Sequence, residues 1–156
     1  MRNKNITGMN VTVPFKRAVI PFIDELSFEA KKTQSVNTIF TRGDKIFGHN
    51  TDIDGFVTAA KKLNYSFAKK KIFILGAGGV VPSLVFALKK LDVSEIIISN
   101  RTKEKALDVK KLFPEVNIID WGNLVDFNVI INATSIGLKK EEKINLNFSK
   151  ISKNKL

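Results

Sequence analysis

Two polar clusters near the start of the chain contain residue types that could carry acid–base chemistry. The first is the stretch 10–16, Asn-Val-Thr-Val-Pro-Phe-Lys, and the second is Asn50-Thr51-Asp52. Amides and hydroxyls can bond the ring hydroxyls of a polyhydroxylated carboxylate substrate. A lysine paired with an aspartate can exchange a proton with an alcohol at the carbon that exchanges hydride. Taken alone, Lys16 is more often a solvated lysine and Asp52 a simple helix cap, and the spacing does not prove that they meet.

A glycine-rich segment follows a short apolar strand and opens a helix. The strand is Lys71–Leu75, and the segment is Gly76-Ala77-Gly78-Gly79. Glycines let the backbone turn sharply, and they let a diphosphate approach the free N–H groups of a helix start. The third glycine of the common dinucleotide fingerprint would fall at position 81, which is valine here. The segment predicts dinucleotide binding, with an ordinary glycine-rich turn as the alternative.

Two further turns follow strands and bear on the choice of nucleotide. An NAD site normally places Asp or Glu at the end of the second strand, where this chain has Ser99-Asn100-Arg101-Thr102. A guanidinium can hold a phosphate bidentately and stack on adenine, so NADP is favoured over NAD. The alternative is that Arg101 is an ordinary surface residue. The small polar residues of the stretch 132–138 are expected beneath the ribose and nicotinamide.

The elements that must position these turns alternate between strands and helices from residue 71 onward. We predict strands over 71–75, 95–99, 116–119 and 127–131, and helices over 80–91 and 102–113. Continuous apolar strands with helices between them predict a parallel sheet covered on both faces, in an α/β fold of the Rossmann type.

The front part of the chain has a different pattern. We predict an extended stretch over 10–13, a helix from about 16 to 26, a hairpin of 36–40 and 45–48, and a helix over 52–63. With only two or three strands and no evident closed sheet, it is expected to be part of a smaller α/β domain. The predicted organisation is a partial substrate-binding domain over 1–66 and a nucleotide-binding domain over 67–156.

Composition excludes several other classes of site. The 156 residues contain no cysteine and a single histidine, His49, which excludes thiolate and histidine-cluster metal sites. No apolar stretch reaches the roughly 20 residues that span a bilayer, so a cytoplasmic location without a membrane partner is expected. The net charge of +11 comes largely from scattered lysine doublets. These are not interleaved with aromatic residues, so nucleic-acid binding is only the alternative.

Six ordered motifs between about residue 8 and residue 138 together resemble the shikimate dehydrogenase family. They are Asn10–Lys16, Val36-Asn37-Thr38, Asn50–Gly55, Gly76–Gly79, Asn100-Arg101-Thr102 and Asn132–Leu138. The resemblance implies reversible reduction of 3-dehydroshikimate to shikimate with NADPH in aromatic amino-acid biosynthesis.

The resemblance also implies roles for individual residues. Lys16 and Asp52 are the implied catalytic pair. The implied substrate-binding residues are Asn10, Thr12 and Asn37. The implied NADP-binding residues are Gly76, Ala77, Gly78, Gly79, Asn100, Arg101 and Thr102, with Thr134 and Ser135 near the nicotinamide.

Compared with the family, this chain is expected to be a fragment that lacks both ends. Family chains begin well before the Asn-Val-Thr motif and continue well past Leu156. After the glycines, this chain has Val80-Val81-Pro82 in place of the usual residues. The alternatives that stay open are a quinate/shikimate dehydrogenase that uses NAD and a non-catalytic nucleotide-binding fragment. A homodimer is left open as the assembly.

Overall fold

The computed structural model describes residues 6–137, 141–144 and 146. Leu138, at the end of the last predicted motif, and residues 147–156 of the predicted second domain lie outside these ranges. The chain divides into two compact units. The first comprises Met1–Ser66 and Pro82–Lys90, and the second comprises Phe67–Val81 and Leu91–Leu156.

The first unit is built on a mixed four-stranded sheet. Its strands and helices are β1 (Gly8–Asn10), a 3-10 helix (Ile20–Phe22), β2 (Glu25–Leu26), α1 (Phe28–Thr33), β3 (Thr38–Arg42), β4 (Lys45–His49) and α2 (Asp52–Lys62). The strand order is β1-β3-β4-β2, in which only the β2–β4 pair is parallel. Ala30, Val36, Ile39 and Ile46 form its buried apolar cluster.

The hairpin and the helix α2 confirm two predictions for the first unit. β3 and β4 pair from Thr38↔His49 to Arg42↔Lys45. The connecting turn contains Gly43, whose φ of +61° suits a residue without a side chain. The sheet is more complete than predicted, because β1 and β2 flank the hairpin. The structure also forms α1, which was not predicted; it is capped by the Ser27 side chain, which accepts from the Ala30 N–H at 3.2 Å.

The predicted helix from about 16 to 26 is wrong. That segment forms isolated turns and a three-residue 3-10 helix, and then joins the sheet as β2. Pro21 lacks an N–H group and cannot continue a helix begun at Lys16. The backbone N–H groups of Asp24 and Ser27 instead bond to the carbonyls of Ile46 and Gly48, at 3.0 and 2.9 Å. The predicted extended stretch 10–13 is also displaced, because β1 ends at Asn10 and the chain turns at Thr12.

The second unit is built on a four-stranded parallel sheet, as predicted. Its strands are β5 (Lys71–Leu75), β6 (Glu95–Ser99), β7 (Asn117–Ile119) and β8 (Val129–Asn132), and α4 spans Lys103–Leu112. The order β7-β6-β5-β8 places the third and fourth strands on opposite sides of the first. This reversal at β5 and β8 is the topological switch point at which open α/β sheets bind their ligands. The α/β class with a Rossmann-type sheet is therefore confirmed.

The helix α3 (Val81–Lys90) follows the glycine segment. Its first residue, Val81, belongs to the second unit, while Pro82–Lys90 belongs to the first. Pro82 lies in the first turn of the helix, where a missing N–H group costs nothing. The second unit has its own apolar cluster, formed by Phe73, Leu75, Ile97 and Phe127.

Candidate functional site

Lys16 and Asp52 form an ion pair in the first unit. The Lys16 Nζ donates to the Asp52 Oδ2 at 2.7 Å, although the residues are 36 positions apart. The two side chains are only 14% and 28% exposed. The Lys16 carbonyl accepts from the Val36 N–H at 2.9 Å, which fixes the lysine backbone beside the entry to β3. Because an ammonium has three N–H groups, Lys16 can bond a ligand and keep its bond to Asp52.

Asn37 bonds the second oxygen of the Asp52 carboxylate. Its Nδ2 donates to the Asp52 Oδ1 and to the Thr51 Oγ1, both at 2.9 Å. Its Oδ1 accepts from the Thr51 N–H at 2.9 Å. The Asn37 N–H donates to the His49 carbonyl at 3.1 Å, so the backbone is fixed as well. Each oxygen of Asp52 therefore accepts one donor, an arrangement suited to an ionised carboxylate that orients Lys16.

Asn50 supports the Asp52 backbone, whereas the sequence suggested only that it belongs to a polar cluster suited to substrate hydroxyls. The residue is completely buried, and its Oδ1 accepts from the Asp52 N–H at 3.1 Å. Its Nδ2 lies 2.9 Å from the Ser83 Oγ, 3.0 Å from the Ser35 carbonyl and 3.2 Å from the Thr33 Oγ1. Asn50 closely follows a predicted strand and lies two residues before a predicted helix. This position is typical of an asparagine that bonds the backbone of a turn, and it could have indicated the role of Asn50.

Asn10 and Thr12 flank Val11, whose N–H donates to the Asn37 carbonyl at 2.8 Å. Asn10 ends β1 opposite Thr38, and Thr12 lies in the turn where its carbonyl accepts from the Phe15 N–H at 2.8 Å. Both residues are exposed. Within residues 6–137, the side-chain hydrogen bonds that join Lys16, Asn37 and Asp52 do not extend to either of them. Their predicted substrate contacts stay a prediction.

Position 76 in the second unit accommodates only a glycine. Its φ is +109°, and a Cβ at this position would lie 2.7 Å from the Ala133 carbonyl oxygen. The Gly76 N–H donates to the Ser99 carbonyl, and the Ala133 N–H to the Leu75 carbonyl, both at 2.8 Å. The carboxyl ends of β5, β6 and β8 are therefore joined at this point of the sheet.

The rest of the glycine segment exposes its backbone at the same sheet edge. Gly78 and Gly79 are exposed, whereas Ala77 is buried. A Cβ at Gly79 would meet nothing within 4 Å, and one at Gly78 would only reach the Ala133 oxygen at 4.0 Å. The space on the Cβ side of Gly79 is open, which suits the approach of an anionic diphosphate.

Asn100 connects the glycine segment to the turn after β6. Its Oδ1 accepts from the Ala77 N–H at 3.1 Å, and its Nδ2 donates to the Thr102 carbonyl at 2.7 Å. Arg101 and Thr102 are exposed beside it. The amide of Asn100 thus holds the turn, and the exposed Arg101 is the charged residue of Asn100-Arg101-Thr102.

A self-contained turn follows β8. The Asn132 Oδ1 accepts from the N–H of Thr134 at 3.0 Å and from its hydroxyl at 2.7 Å. The Thr134 Oγ1 accepts in turn from the Ile136 N–H at 3.0 Å. Ser135 is exposed. Thr134 organises the turn, while the Ser135 hydroxyl is accessible to a ligand.

The described ranges offer neither a metal centre nor a membrane span. No group of three or more His, Cys, Asp or Glu side chains in residues 6–137, 141–144 and 146 is arranged to hold a metal ion. No helix in that part of the chain is long and apolar enough to cross a bilayer. The second unit does fit a dinucleotide, because open glycines, a helix start and Arg101 lie along one sheet edge.

A parallel sheet with a glycine-rich segment at its switch point is the architecture of the Rossmann-type class. Residues 1–39 match the shikimate dehydrogenase substrate binding domain, and residues 58–143 match the shikimate / quinate 5-dehydrogenase family. The chain belongs to the shikimate / quinate 5-dehydrogenase family.

Individual relatives agree with this membership. The shikimate dehydrogenase (NADP(+)) of Pelagibacter ubique is 56% identical over 99% of this chain and 58% of its own length. The crystal structure of shikimate dehydrogenase from Aquifex aeolicus superposes with a TM-score of 0.90 at 36% identity, covering 99% of this chain and 58% of that one. That of the Thermus thermophilus enzyme in complex with NADP(H) and shikimate gives 0.77 at 31% identity, covering 86% and 51%. The chain spans between half and three-fifths of the length of these relatives.

Proposed function

We propose that the chain catalyses the reversible, NADP-dependent reduction of 3-dehydroshikimate to shikimate. The observation that carries the proposal is the partly buried group of Lys16, Asp52 and Asn37, in which an aspartate holds a lysine ammonium at 2.7 Å. The names of the relatives from Pelagibacter ubique and Aquifex aeolicus support the choice of reaction.

Lys16 is the proposed proton donor to the carbonyl oxygen during reduction, and the proton acceptor in the reverse direction. Asp52 holds the ammonium in place through one oxygen and is held itself through the other by Asn37. A lysine whose position is fixed in this way needs less reorganisation to reach a substrate oxygen. Thr12 and Asn10 are proposed to bond substrate hydroxyls, because their polar side chains are exposed in the same unit.

The second unit is proposed to hold the cofactor. When bound, NADPH supplies the hydride. The diphosphate is proposed to lie against Gly76–Gly79, the 2′-phosphate against Asn100-Arg101-Thr102, and the nicotinamide ribose near Thr134 and Ser135. No carboxylate directly follows Ser99, which removes the usual ligand of an unphosphorylated ribose and favours NADP. In this proposal residues 1–66 form the substrate-binding domain and residues 67–156 the NADP-binding domain.

The test begins with the wild-type chain. NADPH and NADH are titrated by their fluorescence, and the oxidation of shikimate with NADP⁺ is followed by the appearance of NADPH. Tighter binding of NADPH than of NADH, together with turnover of shikimate, is expected. Nucleotide binding without turnover would contradict the oxidoreductase proposal and favour a non-catalytic nucleotide-binding fragment. Faster turnover of quinate with NAD⁺ would favour a quinate dehydrogenase activity, which the family description also includes.

The role of Lys16 has its own matched test. Lys16→Ala is expected to lower turnover by roughly 10²- to 10⁴-fold, the usual contribution of an acid–base group, with NADPH binding unchanged. Lys45→Ala is the control, because Lys45 forms an exposed pair with Glu25 at the start of β4 in the same sheet. Equal activity of the two variants would overturn the assignment of Lys16.

A location and an assembly are proposed as well. We propose that the protein is located in the cytoplasm and that it forms a homodimer. Analytical ultracentrifugation tests the second point, because a monomer across the micromolar range would contradict it.

A further inference from the structure

The carboxylate of Asp120 lies close to the turn proposed to bind the 2′-phosphate. β6 and β7 pair in parallel up to Ser99↔Ile119, so Asp120 follows β7 where Asn100 follows β6. Adjacent strands are about 4.8 Å apart, which places the backbones of Asp120 and Asn100 at about that separation. The Ser99 Oγ, itself buried, donates to the Asp120 carbonyl at 3.2 Å and fixes this backbone.

Lys103 neutralises that carboxylate. It is the first residue of α4, directly after Asn100-Arg101-Thr102, and its Nζ lies 2.7 Å from the Asp120 Oδ1. The hydrogen bond to Asp120 and the negative charge of Asp120 raise the pKa of Lys103 above its ordinary value of 10.5. The lysine is therefore positively charged throughout the neutral range, and the pair carries no net charge.

We infer that Lys103 is a specificity-determining residue for NADP, because it cancels the repulsion that Asp120 would exert on the 2′-phosphate. The inference rests on the proposed function, in which Asn100-Arg101-Thr102 hold that phosphate. An uncompensated carboxylate at this edge would disfavour the phosphorylated ribose, just as an acidic residue after the second strand does in NAD-binding proteins. An unphosphorylated ribose lacks the doubly charged group and would be affected far less.

The expected effect is modest because the pair is solvated. The Lys103 and Asp120 side chains are 59% and 66% exposed, so water and salt screen the carboxylate. A single screened charge near the 2′-phosphate is expected to change the dissociation constant of NADPH by about three- to tenfold.

The test is a double-mutant cycle read by nucleotide binding to the full chain. NADPH and NADH are titrated against the wild type, Lys103→Met, Asp120→Asn and the double variant, with circular dichroism as the folding check. Lys103→Met should raise the dissociation constant of NADPH by about three- to tenfold and that of NADH by less than about twofold. Asp120→Asn in the Lys103→Met background should restore NADPH binding. The loss should also shrink as salt rises.

Lys111→Met is the matched control for net charge. Lys111 forms an exposed pair with Asp108 on the same helix at 2.8 Å, so this variant removes the same charge away from the turn. It should leave the preference for NADPH unchanged.

Three results would count against the inference. A loss that persists in the double variant would show that Lys103 acts directly on the phosphate. No loss in Lys103→Met would show that Asp120 needs no compensation. A wild-type chain without a preference for NADPH over NADH would instead overturn the proposed function on which the inference rests.

Discussion

Replacing Gly76 with alanine tests the geometry of the switch point directly. The alanine would adopt a φ of +109°, a backbone conformation that costs a residue with a side chain about 1–3 kcal/mol. Its Cβ would also lie 2.7 Å from the Ala133 oxygen and 3.0 Å from the Thr134 nitrogen. Because these are backbone atoms, the close contact can be relieved only by a shift of the turn after β8. That shift weakens the 2.8 Å bond from Ala133 to Leu75, which is worth about 0.5–1.5 kcal/mol.

These terms predict a loss of about 2–4 kcal/mol in the free energy of unfolding of the second unit. With a denaturant slope of about 2 kcal/mol per molar of urea, the middle of the usual range, the midpoint should fall by about 1–2 M. Trp121 is the single tryptophan of the chain and packs against the apolar cluster of the second unit. Its fluorescence therefore reports the unfolding of that unit.

Gly78→Ala is the matched control, because it alters the same segment without the strain. A Cβ there would only approach the Ala133 oxygen at 4.0 Å. The free energy of unfolding should therefore change by less than about 0.5 kcal/mol. NADPH binding should nevertheless weaken by about tenfold, because the added methyl group occupies the side from which the diphosphate approaches. A Gly76→Ala variant as stable as Gly78→Ala would refute the reasoning from φ and close contact.

Two further substitutions test buried contacts, one in each unit. Asn50→Leu keeps the volume but leaves buried polar partners unbonded, so the unfolding free energy should fall by about 2–4 kcal/mol with reduced turnover. Asn64→Leu, at an exposed position, is the control, and equal urea midpoints by circular dichroism would contradict the role of Asn50. Phe127→Ala removes a ring that is 1% exposed and should cost about 3–5 kcal/mol. The exposed Leu107→Ala should cost less than about 0.5 kcal/mol, and similar Trp121 transitions in the two variants would contradict this prediction.

The parallel sheet could be predicted closely from the sequence. The central strands β5 and β6 contain continuous apolar runs, and these runs are bounded by glycine or by polar turn residues. The observed bounds of β5 and β6 agree with the predicted ones to the residue. These two strands are buried on both faces, so local composition alone identifies them.

The sheet of the first unit could not be predicted in the same way. β1 and β2 contain three and two residues, too few to show any alternation of apolar and polar positions. β2 exists because Asp24 and Ser27 find partners on β4, and these contacts are distant in sequence. The pairing of Lys16 with Asp52 has the same origin. Its two residues are brought together by β3 and the start of α2, so only the resemblance to a family pointed to the pair before the structure did.

Motif membership does not reveal which residues touch a ligand and which hold the others in place. The side-chain amides of Asn37, Asn50, Asn100 and Asn132 all bond to groups of the protein itself. Asn50 is buried, Asn37 and Asn100 are half-buried and Asn132 is exposed. An amide that is bonded in this way and shielded from water costs free energy to detach, so the first role of Asn37, Asn50 and Asn100 is to fix the backbone around them. In the second unit, the groups that face solvent include the backbone at Gly78 and Gly79, the guanidinium of Arg101 and the hydroxyl of Ser135. Substitution of Asn37, Asn50 or Asn100 should therefore change stability and activity together, whereas substitution of Arg101 should weaken nucleotide binding without a loss of stability.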